Sequence, residues 1–116
     1  MNDHNFNVNV AIDFDVPTAI ILEKISELLF ESFKSDENFH LNRYWICKSS
    51  SSFSKELPYF TEKQIRTILD KCIKNDLLES NNFNKTLYDR TLSYTFTDKT
   101  YNYYFKLKSQ IHNKEV

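Results

Sequence analysis

Glycine is absent from all 116 residues, and proline and cysteine occur twice each. Without glycine, any position where the backbone must enter the left-handed region falls to another residue. The abundant asparagine is the natural substitute, because its short side chain tolerates positive φ. No run of about 20 apolar residues occurs, so no membrane-spanning helix is expected. The N-terminus "MNDHNFNVNV" is acidic and polar, without the basic and apolar regions of a secretory signal, so none is expected. Cys47 and Cys72 form no C-x-x-C and lie among apolar residues, so both read as buried thiols in a reducing cytoplasm. His4, His40 and His112 are scattered, and neither a metal site nor a cofactor is expected. There is no phosphate loop, no Ser/His/Asp or Cys/His set and no spaced carboxylate pair, so an enzyme is not expected.

What is present is aromatic and unevenly charged. Aromatic residues make up 16% of the chain, which argues against disorder through its middle. The net charge of −1 alone speaks against a strong nucleic-acid binder. Its distribution is more informative. Residues 1–42 hold two Lys/Arg and eight Asp/Glu, a net −6, residues 43–90 are at +3, and residues 91–116 are at +2. An acidic first third and a basic remainder suggest two faces with different partners.

Residues 6–14, "FNVNVAIDF", alternate apolar and polar, which points to a strand. Their Asn and Asp content weakens that reading, and a short helix stays open. Pro17 fits the first turn of a helix running to about Lys34, with Ile21, Leu22, Ile25, Leu28, Leu29 and Phe33 as its apolar stripe. "SDENFHLN" reads as a loop, Arg43 to Cys47 as a short strand, and about Ser51 to Leu57 as a short helix ended by Pro58. The segment from Thr61 to Lys74 is the clearest. Thr61 and Gln64 form a capping box, Ile65, Ile68, Leu69, Cys72 and Ile73 make one buried face, and Glu62, Lys63, Arg66, Thr67, Asp70 and Lys74 face outward. Asn75 and Asp76 end it where glycine is usual. "LLESNNF" and "TLSYTFT" read as the strands of a hairpin, the second with Leu92, Tyr94 and Phe96 on one face and Ser93 and Thr95 on the other. A last short helix through Tyr101, Tyr104, Phe105 and Lys108 is expected to fray by Asn113.

Helix, short strand, short helix, tight turn, capped helix and hairpin follow the order of a winged helix-turn-helix. The expected fold is therefore mainly α with a small β-sheet (α+β), as one domain over 1–116. Its core spans about 8–98, and 99–116 form a partly helical C-terminal extension. In that geometry the capped helix enters a DNA major groove and the hairpin, or wing, at about 81–91 reaches the neighbouring backbone.

The stretch from Arg43 to Asp98 also resembles the N-terminal winged-helix domain of phage and prophage replication-initiation (replisome organiser) proteins. Tyr44-Trp45 and Ser49 are similar to that family's Tyr-Trp-x-Tyr-Asn-Ser run. Leu57-Pro58-Tyr59-Phe60-Thr61 and Ile65-Arg66 resemble its helix entry. Asn82-Phe83-Asn84-Lys85 and Tyr88-Asp89-Arg90-Thr91 resemble its wing nearly residue for residue, and "VPTAIILEKI" resembles its upstream helix. The resemblance covers about Val8 to Asp98. This chain departs from it at Asp76 and Asn81, where the family has glycine, at Ser93, where it has tryptophan, and at Lys48, where it has asparagine.

The resemblance implies binding to double-stranded DNA, as a replication-initiator-like protein or a small transcriptional regulator. Lys85 and Arg90 would meet phosphates, with Asn81, Asn82 or Asn84 at the positive-φ positions of the wing. Lys63, Arg66 and Thr67 would read bases, with Thr61 at the helix start, and Lys71 and Asn84 complete the candidate nucleic-acid-binding set. Asp89 could hold Arg90 in a local ion pair. A second reading is a phage-encoded inhibitor of a host defence system, of the anti-CRISPR type. It would meet a host protein or nucleoprotein complex through Glu23, Glu27 and Glu31 and the tail tyrosines Tyr101 and Tyr104. A third is a homodimer, with the oily first helix or the aromatic tail as its contact.

Overall fold

The computed structural model describes residues 6–86 and 88–113; His4 and the first residues of the acidic N-terminus lie outside them. The ambiguous segment near the start is helical: α1 spans Val8–Asp13. Asn7 decides it. Its side-chain oxygen accepts the Val10 N–H at 3.2 Å, satisfying one of the donors that a helix start leaves unpaired. Asp15 repeats the device for α2, Val16–Ser35, accepting the Thr18 N–H at 2.8 Å, with Pro17 in the first turn. At 20 residues α2 is about 30 Å long, and it ends at Asp36 in the left-handed region. Ile21, Leu22, Ile25 and Leu29 are fully buried, and α1, the later helices Glu62–Lys74 and Phe105–Asn113 and the small sheet all pack on this helix.

The segment read as loop and then strand is a hairpin followed by a break. β1 (Phe39–His40) pairs with β2 (Arg43–Tyr44) across a turn in which Leu41 and Asn42 take φ of 53° and 61°. Those values suit the tight turns that strand twist favours, usually with glycine. Trp45 interrupts the strand. Its buried ring donates Nε1–H to the His40 carbonyl at 2.8 Å, and its backbone N–H turns back to Asn38. The chain then enters a second sheet as β3, Ile46–Cys47.

Ser49 caps α3 (Ser50–Glu56) by accepting the Ser52 N–H, and α3 packs on α4 (Glu62–Lys74). The capping box at Thr61 and Gln64 is present in both directions, at 3.1 and 2.9 Å. Asp76, at φ 59°, closes α4 with two bonds: its own N–H to the Ile73 carbonyl and the Leu77 N–H to the Cys72 carbonyl. β4 (Leu78–Asn81) and β5 (Ser93–Phe96) follow, and the antiparallel three-stranded sheet has the order β3-β5-β4. The expected alternation in β5 gives way to burial on both faces, because the strand is central; Thr95 donates its hydroxyl to the Tyr44 carbonyl at 2.7 Å.

The C-terminal segment joins the same core. α5 (Asp98–Tyr101) and α6 (Phe105–Asn113) bury Tyr101, Tyr104, Leu107 and Ile111 with the residues of α2 and β5. The architecture is α+β, mainly helical with a small antiparallel sheet. Among the described residues, no helix is long and apolar enough to cross a membrane, and no group of three or more potential metal ligands gathers.

Candidate nucleic-acid interface

The amphipathic pattern of α4 sets which side chains can meet a partner. Ile65, Leu69 and Cys72 turn inward; Lys63, Arg66, Thr67 and Lys74 are exposed. The outward cations divide over two flanks. Arg66 and Asp70 line a groove with Arg90, Thr91, Leu92 and Tyr94 of the hairpin and with Lys48, Ser49 and Ser50 at the entry to α3. Lys63, Thr67 and Lys71 line a different groove, walled by Asp15, Pro17, Phe60 and Ile68. The structure thus brings Arg66 and Arg90 together, while Lys63 and Thr67 belong to the other flank.

Ion pairing removes several cations of the basic middle segment. Arg43 pairs with Glu79. Lys48 pairs with Glu56 at 2.7 Å, and Lys24 reaches the same carboxylate at 3.6 Å. Lys71, expected among the DNA contacts, pairs with Asp15. Burial pushes the Asp15 carboxyl up, but hydrogen bonds from Lys71 and Thr18 outweigh it and hold the group below the usual carboxylate range. Among the described residues, Lys63, Arg66, Lys85 and Arg90 have no carboxylate partner within salt-bridge distance.

Two hydroxyls of the expected base-reading set are occupied. Thr61 Oγ1 accepts the Gln64 N–H as the helix cap, and Thr67 donates to the Lys63 carbonyl at 3.0 Å. Asn84 is also corrected. Its amide donates to the carbonyls of Asp89 at 2.9 Å and Thr91 at 2.7 Å, while its side-chain oxygen faces the Cys47 thiol at 4.0 Å. It is a strut inside the hairpin rather than a free donor.

The hairpin does not hold its shape by positive φ at Asn81, Asn82 or Asn84; none of the three takes it. Side-chain oxygens close the turns instead, as Asn82 accepts the Asn84 N–H at 2.9 Å and Asp89 accepts the Thr91 N–H at 3.0 Å. Asp89 therefore turns to Thr91, whose N–H and hydroxyl hold its carboxyl below the ordinary range, instead of pairing with Arg90. At the foot of the loop Phe83 stacks on His40 at 4.1 Å and meets Trp45 edge-on at 4.9 Å. Lys85, Tyr88 and Arg90 project from this braced base, all exposed.

On the acidic side, Glu23, Glu27 and Glu31 share a stripe of α2, but only Glu27 and Glu31 are open to solvent. Burial, with Glu27 nearby, raises the pKa of the half-buried Glu23. Tyr101 and Tyr104 are corrected as partner-surface residues. They are 4% and 8% exposed, with both rings packed on Phe96. Cys47 is corrected as well: it is exposed on the outer strand β3, whereas Cys72 is buried and its thiol is pushed up to about 12 by desolvation. Lys48, which the sequence did not single out for the site, is brought to the groove beside α4 by the β3–α3 turn, but its ammonium is taken up by Glu56. Comparison of the chain with protein-family models, with curated proteins and with solved structures gives no match.

Proposed function

We propose that this protein is a winged helix-turn-helix that binds double-stranded DNA, with α4 in the major groove and the loop between β4 and β5 on the adjacent backbone. The observation that carries this reading is the groove shared by Arg66 and Arg90, two exposed cations on two elements of the fold without a carboxylate partner among the described residues. The α3–α4 pair followed by a hairpin, and the strand order β3-β5-β4, support it. So does Asp76, which takes φ 59° where the phage replication-initiation proteins that the chain resembles have glycine. The same resemblance supports a cytoplasmic replication initiator or small regulator.

Arg66, on the helix, reads a base; a bidentate contact to guanine discriminates by about 1–3 kcal/mol. Arg90 and Lys85 meet phosphates. Arg66→Ala therefore relaxes sequence preference, whereas Lys85→Ala and Arg90→Ala weaken binding to all duplexes alike. Fluorescence anisotropy against duplexes from the upstream region of its own operon separates the two effects. Absence of binding to every duplex at ~50 mM salt contradicts the reading.

A second reading, a protein-binding inhibitor of a host defence complex, is favoured by the exposed acidic positions Glu27, Glu31 and Glu37. It predicts capture of a basic host protein that is lost in Glu27→Lys/Glu31→Lys. Recovery of nucleic acid alone in such a pull-down counts against it.

A further inference from the structure

Tyr88 is 96% exposed, the most exposed of the large apolar side chains among the described residues. It stands near the tip of the hairpin loop between Lys85 and Arg90, both also exposed. A ring in that position contributes nothing to the core. Its surroundings are nevertheless not those of a loose loop. Asn84 ties the strand leaving the tip to the strand entering it, through the carbonyls of Asp89 and Thr91. Asp89 closes the turn onto the Thr91 N–H, and Phe83 anchors the loop's foot against His40 and Trp45. Asn82, Asn84 and Asp89 brace the loop, and the Tyr88 ring is left exposed.

We infer that Tyr88 is a stacking platform for an unpaired nucleobase, held in place by phosphate contacts from Lys85 and Arg90 on either side of it. The inference rests on the DNA-binding reading and narrows its ligand to duplex DNA with a base out of the stack. A paired base in a continuous duplex offers no free face to a side chain at the backbone, whereas a bulged or frayed base offers its π-surface. Stacking on an aromatic ring is tolerant of base identity and is strong enough to be seen in affinity. Flanking cations are what such a platform needs, because they fix the backbone next to the displaced base.

The experiment compares two probes by fluorescence anisotropy: a fully paired duplex and the same duplex carrying one unpaired adenine. 2-Aminopurine in place of that adenine reports stacking directly. The inference predicts tighter binding to the bulged probe by about tenfold, within the range of one base–aromatic stack. It also predicts 2-aminopurine quenching on binding. Tyr88→Ala removes both the preference and the quenching, and Tyr88→Phe keeps both. Equal affinity for the two probes overturns the inference while leaving duplex binding in place, as does an equal loss on both probes in Tyr88→Ala. No binding to either probe overturns both readings together.

Discussion

Asp76 shows how a glycine-free chain meets a backbone demand that glycine usually meets. The left-handed conformation costs an L-residue roughly 1–2 kcal/mol, and Asp is among the few that visit it routinely. Its φ of 59° allows the two closing bonds of α4. Asp76→Gly removes that penalty against an entropic cost of up to about 1 kcal/mol in the unfolded chain, so a small net gain is expected, seen as a higher urea midpoint. Asp76→Val lowers stability by about 1–2 kcal/mol, read as a lower urea midpoint, and no loss in the valine variant would contradict the account. Asn38 and Asn42 take positive φ, as expected of asparagine in a glycine-free chain, whereas Asn82 and Asn84 are hydrogen-bonding braces; composition does not distinguish the two roles.

Elements were legible where a side chain fixed both ends. α4 could be read to its boundaries because the box at Thr61 and Gln64, the 3.6-residue stripe and the Asn75–Asp76 stop all agree. α1 was ambiguous because two turns of helix and a short strand both accept the pattern "VNVAID", and the deciding contact is the Asn7 cap. β1 could not be read at all. Its turn residues Leu41 and Asn42 lack the usual glycine, and Trp45 breaks the following strand through contacts that only the fold creates. The last helix was legible as a stripe, but not as core, because its partners lie far away in sequence on α2 and β5. Leu107→Ala is accordingly expected to cost about 2–3 kcal/mol, as for a buried leucine elsewhere, measured by denaturant unfolding. On α2, Glu23 has a folded pKa above its ordinary value, so its ionisation opposes folding. Stability falls as pH rises from the unfolded pKa through the folded one, and the cost is complete above that window. Glu23→Gln should therefore raise the urea midpoint at pH 7 and leave it unchanged well below the ordinary glutamate pKa, around pH 3. A fall at pH 7 would contradict the assignment.

For the whole molecule, the segment totals of −6, +3 and +2 overstate the positive charge available to a partner. Arg43, Lys48 and Lys71 are consumed by Glu79, Glu56 and Asp15. Only three-dimensional neighbours reveal this, since Lys71 and Asp15 are 56 positions apart. Arg66 and Arg90 share one groove, and Lys63 lines another on the opposite flank of α4. A site of so few cations implies moderate affinity and a shallow salt dependence, because each phosphate contact releases counterions in proportion. The most direct test of the account is the slope of log affinity for duplex DNA against log salt, in the wild type and in Lys85→Ala/Arg90→Ala. The account predicts measurable binding at low salt whose slope falls by about one for each phosphate contact removed. A slope indifferent to both substitutions, or no duplex binding at all, would contradict it.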